Sequence, residues 1–244
     1  RIPPKQVQQA NPIQMMLLDA VTQAVTEYDN GEWSFDRQRT GVVIGTVFGA
    51  EFGNQLQIGL RLPEICRRIT TELQADGAPV SADAIAAAFR ETVLRNRPAL
   101  LDETGSFTAS TLSSRVAKTF DLMGGACAID ADDASGLAAL SVAVDQLRSG
   151  QCDTIICGTA HRAMDLSAFE ELDMTGRLVR SGRTEDVPDD CSRVLPGEGV
   201  VALVLCRLSD AIKSDAPIVG IIQDVATSMA STLSPEPIFD KSDA

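Results

Sequence analysis

Apolar positions recur along this chain with two periods, and segments of one period alternate with segments of the other. After the polar opening RIPPKQVQQA, Asn11-Pro12 begins a helical pattern through Met15, Met16, Leu18, Val21 and Val25. Asn is a good cap and Pro suits the first turn. Residues 41–45 (GVVIG) are a short apolar run bounded by glycines, which predicts a buried strand. Residues 63–96 predict two helices. The first begins near Pro63 and stops before Gly77-Ala78-Pro79. The second is capped by Ser81 and runs through Ala84, Ile85, Ala88, Phe89 and Val93. The Ser/Thr-rich stretch from Gly105 to Arg115 predicts a loop leading into a short helix.

The pattern sharpens further on. Ala126–Ile129 is a strand candidate, and Asp130–Asp133 turns the chain. Ser135–Arg148 predicts a helix with Leu137, Leu140, Val144 and Leu147 on one face and Gly150 ending it. Asp153–Cys157 predicts a second buried strand. Met174–Pro196, with Gly176, Gly182 and Pro188, predicts a long loop. Gly197-Glu198-Gly199 leads into an apolar strand over Val200–Leu205, and Pro217–Val225 predicts one more strand. Strands alternating with helices specify an α/β fold of helical layers around a largely parallel sheet.

Composition narrows the chemistry. The chain has 244 residues, is 44% hydrophobic and only 4% aromatic, and carries a net charge of −13. Its core is therefore aliphatic, and its surface repels phosphate backbones and anionic membranes. No apolar run reaches the ~20 residues a bilayer span needs. No signal peptide is visible, and the start at Arg1 rather than Met suggests an excised segment. Cys66, Cys127, Cys152, Cys157, Cys191 and Cys206 lack paired metal-ligand spacing and read as free thiols of a reducing cytoplasm. His161 is the single histidine, which excludes a zinc site built on several histidines of this chain and itself reads as a surface or loop residue.

Several segments resemble the ketosynthase family, the condensing enzymes of fatty-acid and polyketide assembly, and they occur in that family's order. Arg1-Ile-Pro-Pro-Lys5 with Asn11–Leu18 resembles the approach to its first long helix. Ser114-Arg115-Val116 and Phe120–Gly125 resemble the approach to its active-site strand. Gly182-Arg183 and then Gly197–Ala211 resemble its later loop and strand, the last being very specific. The helices at 63–96 and the Ser/Thr-rich stretch after them most resemble the polyunsaturated-fatty-acid type. The resemblance implies a thiolase-like fold, of which residues 1–226 form the N-terminal half in an α/β/α arrangement, without the family's opening strand. Residues 63–96 are then a helical insertion, and 227–244 are loop or the start of the C-terminal half. Both family histidines lie beyond this chain's end, and no cofactor or metal is implied.

One segment departs from the family. Its nucleophile motif, Val/Ile-Asp-x-x-Cys-Ser-Ser, here reads Ile129-Asp130-Ala131-Asp132-Asp133-Ala134-Ser135, so Asp133 falls on the cysteine. In the family a thiolate stabilised by a helix N-terminus takes an acyl group from a thioester. A carboxylate is a far weaker nucleophile toward thioesters, its mixed anhydride is labile, and its charge repels a malonyl carboxylate. Cys127 lies six residues too early to substitute. Asp132 and Asp133 also have a plainer reading, as helix caps.

The resemblance thus implies a non-catalytic ketosynthase-like domain, of chain-length-factor or scaffold type, in a cytoplasmic fatty-acid or polyketide synthase. Competing readings are an acyl-processing decarboxylase or hydrolase using Asp133, and a purely structural module. The partners implied are a ketosynthase-like domain, joined at the Ala126–Ile129 strand, and an acyl carrier protein. Carrier proteins are usually acidic, so docking would need a local basic patch. Arg177, Arg180 and Arg183 form one candidate, and Arg61, Arg67 and Arg68 another.

Overall fold

A computed structural model gives the fold and describes residues 4, 7, 10–29, 35–47, 50–75, 81–96, 108–162, 166–190 and 192–226. The elements in chain order are α1 (Pro12–Asp29), β1 (Thr40–Gly45), α2 (Ala50–Ala75), α3 (Ala82–Asn96), α4 (Ser110–Phe120), β2 (Ala126–Ile129), α5 (Ser135–Arg148), β3 (Thr154–Arg162), α6 (Leu166–Met174), β4 (Glu198–Cys206) and α7 (Leu208–Lys213).

Among the described residues four strands form one sheet in the order β2-β1-β3-β4. The β1–β2 and β1–β3 pairs are parallel, and β4 runs antiparallel to β3. Every residue of β1 is buried, as a central strand covered on both faces must be. Its alternation divides the core in two. Val42 and Ile44 point to the side covered by α1 and α4, where they pack with Leu17, Val21, Val116 and Ile156. Val43 points to the other side, where α5 supplies Ala139, Ala143 and Leu147. The result is the expected α/β/α layering.

Local chemistry explains several element ends. Asn11 caps α1, its Oδ1 accepting from the Ile13 N–H at 3.0 Å. The Ser81 hydroxyl oxygen accepts from the Ala84 N–H at 3.4 Å and starts α3. Gly150 follows α5 with φ of 74°, the left-handed conformation that glycine adopts without cost.

Other expectations are corrected. The helix placed at Pro63 begins at Ala50 and runs through that proline. Proline removes one helical bond, to the carbonyl four residues back, and the turns on either side outweigh that loss. Of α3, Ala82, Ala86 and Val93 are the buried positions, while Ile85 and Phe89 are exposed. The stretch read as loop to Arg115 is helical from Ser110; its beginning, like residues 227–244 and Cys191, lies outside the described residues. Residues 217–225 form no strand: they have no ladder partner, and Val219 is fully exposed. The loop expected from Met174 is preceded by a helix, α6, that the sequence pattern did not reveal.

The buried stripe of α5 also differs from the predicted one. Ser135, Ala139, Ala143 and Leu147 face the sheet, whereas Leu137 is 70% exposed. Small residues at four-residue intervals let the helix lie close on β1 and β3. Ala139 is fully buried. Ala139→Leu therefore overpacks this contact and is expected to lower stability by about 1–3 kcal/mol, read as a lower midpoint in urea. An unchanged midpoint would remove α5 from the core.

Candidate functional site

The C-terminal ends of the parallel strands meet at one pole of the sheet, and three bonds hold them together. The Thr46 N–H donates to the Ile129 carbonyl at 3.0 Å, and the Thr46 hydroxyl to the Ala160 carbonyl at 2.9 Å. The Thr159 hydroxyl donates to the Gly45 carbonyl at 3.0 Å. Between β2 and α5 the chain makes a sharp turn. Asp132 takes φ of 53° there, which a non-glycine residue adopts only when its surroundings hold it.

Ser135 supplies much of that hold. Its hydroxyl donates to the Asp132 carbonyl at 2.6 Å and accepts from the Ala131 N–H at 2.9 Å. The Asp130 carboxylate accepts from the Asp132 N–H at 3.3 Å. Ala134 is the residue at the cap position, and no side chain caps α5. The reading of Asp132 and Asp133 as helix caps is therefore corrected: Ser135, inside the first turn, clips the bend from within.

Asp133 stands clear of these bonds. Its side chain is 82% exposed, and its Oδ2 lies 3.4 Å from Nη2 of Arg177. Arg177 is fixed at the neck of a closed loop. Its N–H donates to the Leu172 carbonyl at 2.8 Å, and its carbonyl accepts from the Val194 N–H at 2.6 Å. The Val179 N–H donates back to the Val194 carbonyl at 3.0 Å. Of the other two arginines of that cluster, Arg180 pairs with Asp173 at 2.6 Å and Arg183 lies on the exposed outer part of the loop. The structure thus brings Arg177 to Asp133 and leaves Arg180 and Arg183 away from that contact. Arg61, Arg67 and Arg68 are exposed on α2.

The remaining candidates are placed as follows. His161 is on the surface, but on strand β3 rather than in a loop, paired in register with Gly199. Cys127 lies in β2, half-buried against the α5 layer, where burial pushes its thiol up. Burial also raises Cys152, and pushes Cys157 up to about 11. These thiols stay protonated at neutral pH and offer no thiolate. Among the described residues no group of three His, Cys, Asp or Glu side chains is placed to hold a metal ion. No helix among them is long and apolar enough to cross a membrane.

Residues 1–211 match the family described as beta-ketoacyl synthase, N-terminal domain. The chain belongs to the β-ketoacyl synthase family. Among curated proteins it is 34% identical over 113 residues to the highly reducing polyketide synthase sorA of Penicillium rubens, a match spanning 46% of this chain and 4% of that protein. It is 34% identical over 117 residues to the polyketide synthase GfsB of Streptomyces halstedii, spanning 48% and 2%. The matched part is thus a few per cent of the length of these relatives. Among solved structures, a ketosynthase from module 6 of the bacillaene synthase of Bacillus subtilis superposes with a TM-score of 0.61 at 18% identity, covering 89% of this chain and 31% of that one. The oxazolomycin ketosynthase domain OzmH KS7 of Streptomyces albus gives 0.60 at 19%, covering 89% and 31%. The fold is accordingly that of the ketosynthases, and its strand–turn–helix bend carries Asp133.

Sequence reasoning placed the bend and singled out Arg177, but did not join Arg177 to Asp133. The small residues Ala139 and Ala143 already point to close packing of α5 on its neighbours, but Ser135 has no role in the sequence reading beyond opening the helix.

Proposed function

We propose that this chain is a non-catalytic ketosynthase-like domain, of chain-length-factor or scaffold type, in a fatty-acid or polyketide synthase. The observation that carries the reading is the residue at the bend. Asp133 presents a carboxylate, engaged by Arg177, where the family motif places its thiol. Acyl transfer to the enzyme needs a nucleophile that attacks the thioester carbonyl and expels the carrier thiolate. A solvated carboxylate does this poorly, and the anhydride formed would hydrolyse.

In this reading residues 1–226 are the N-terminal half of the domain, with an insertion at 63–96, and the protein works in the cytoplasm. Its partners are a ketosynthase-like domain, met along β2, and an acyl carrier protein. β2 supports the first, being an edge strand of the sheet among the described residues, with Ala126 exposed. Exposed Arg183 and the α2 arginines are among the basic contacts available to an acidic carrier.

The expected result with the full-length protein is no acyl adduct on residues 126–150 by peptide mass after incubation with acyl-carrier thioesters. Asp133→Cys is expected to acquire one, since it puts a thiol at the end of a helix whose N-terminus favours thiolate. A stable adduct at unaltered Asp133 would overturn the non-catalytic reading in favour of acyl chemistry by the carboxylate.

A further inference from the structure

We infer that Asp133 serves as a tether, holding the neck of the loop that follows α6, at Arg177, against the bend between β2 and α5. This rests on the register that puts Asp133 at the nucleophile position, and adds a role for the residue that stands there. The loop is closed on itself by the Arg177–Val194 and Val179–Val194 backbone bonds, and Val179, just inside the neck, is only 3% exposed. Its outer part is different in kind. From Arg180 to Asp186 every residue is exposed, and that stretch includes Gly182 at φ of 69° and one short 3-10 turn at Thr184–Asp186. The neck is therefore the place where contacts set how the loop sits.

Three ties are available at the neck, and they hold different things. The backbone bonds from Arg177 and Leu178 to the Leu172 carbonyl join the neck to α6. Arg180 to Asp173 repeats the same connection with side chains. Asp133–Arg177 joins it to another part of the chain, 44 residues away in sequence. Exposed ion pairs contribute little to global stability, and this one is long and half in water. An exposed loop belongs to the low-stability end of a fold, however, so a bias of a fraction of a kcal/mol is enough to change how often it opens.

The test is hydrogen exchange on the full-length protein, comparing amides of residues 177–194 with those of β1 and β3. Asp133→Asn keeps the shape and removes the charge. It is expected to speed exchange in 177–194 about two- to five-fold, the range given by an exposed ion pair, and to leave β1 and β3 unchanged. Arg177→Gln should do the same, and the double variant should be no faster than either single one. The charge swap Asp133→Arg with Arg177→Asp should restore most of the slowing. In 1 M salt the difference between wild type and Asp133→Asn should shrink, because screening at that strength acts within about 3 Å. Exchange in 177–194 that is unaffected by Asp133→Asn, or singles whose effects simply add, would overturn the tether. An acyl adduct at Asp133 would instead overturn the non-catalytic reading and leave the exchange result standing, so the two failures are distinguishable.

Discussion

Gly45→Ala is expected to destabilise this domain severely. Gly45 ends β1 and lies directly under the first turn of α5. A Cβ added there would be driven onto the Ser135 carbonyl, 2.6 Å from its carbon and 2.9 Å from the Gly136 Cα. These are backbone atoms and cannot swing aside as a side-chain end would. Relief requires α5 to rise off the sheet. That move would separate Ala139 and Ala143 from Val43 and break the Ser135 clip on the Asp132 bend. Backbone displacement under a central helix belongs to the costly end of overpacking, about 3 kcal/mol or more. A domain of this size has about 5–15 kcal/mol in total. The measurement is the urea midpoint of Gly45→Ala beside Gly199→Ala, where an added Cβ meets nothing within 4 Å. Equal midpoints for the two would mean that α5 does not sit on the end of β1 as described.

The contrast between what was and was not legible in the sequence follows the range of the interactions. The bounds of α5 were read correctly because local groups set them: the turn-forming aspartates before Ser135, and Gly150 in its left-handed conformation after Arg148. Asn11 is legible as a cap for the same reason. What failed depended on partners elsewhere. β3 runs on to Arg162 through polar residues because nine residues of β4 pair with it, down to Arg162 opposite Glu198. Nothing in the composition of Thr159–Arg162 announces a strand. Leu137 looked like a core position by periodicity, yet the sheet lies under the small-residue stripe one step round the helix. The candidate site divides the same way. The bend and the residue at its tip came from motif and spacing. The contact that defines its chemistry, Asp133 with Arg177, spans 44 positions and leaves no periodic trace.

At the opposite pole, where β1 and β3 begin, a charged cluster carries the last expectation. Asp153 accepts from both Arg39 and Arg207, and Arg207 also pairs with Asp210 at 2.7 Å. Arg207 further donates to the Leu147 carbonyl at 3.0 Å and the Cys152 carbonyl at 2.9 Å. One guanidinium therefore satisfies the end of α5, the start of β3 and the start of α7. Arg207→Ala would strip bonds from two carbonyls and leave Asp153 with Arg39 alone. Water reaches this cluster, Asp153 being 39% exposed, so its charge terms are discounted for screening. The expected loss is about 2 kcal/mol, most of it from the bonds lost at the Cys152 and Leu147 carbonyls, the latter keeping only the Gly150 N–H at 3.2 Å.

The pH dependence of that loss has a definite sign. Hydrogen bonds from Arg39 and then Arg207 hold the Asp153 carboxyl well below the usual carboxylate range. A group with a depressed folded pKa stabilises the fold above its unfolded value and ceases to do so as pH falls. The contribution is thus complete at neutral pH and begins to fade near about 3.9, where an unfolded aspartate takes up its proton. Removing Arg207 takes away one of the two donors, so the stability gap between wild type and Arg207→Ala should narrow as pH drops from 7 toward 3. Equilibrium unfolding at a series of pH values measures it. A gap that stays constant over that range would show that Arg207 acts through the carbonyls alone, and a gap that widens would contradict the ion-pair geometry.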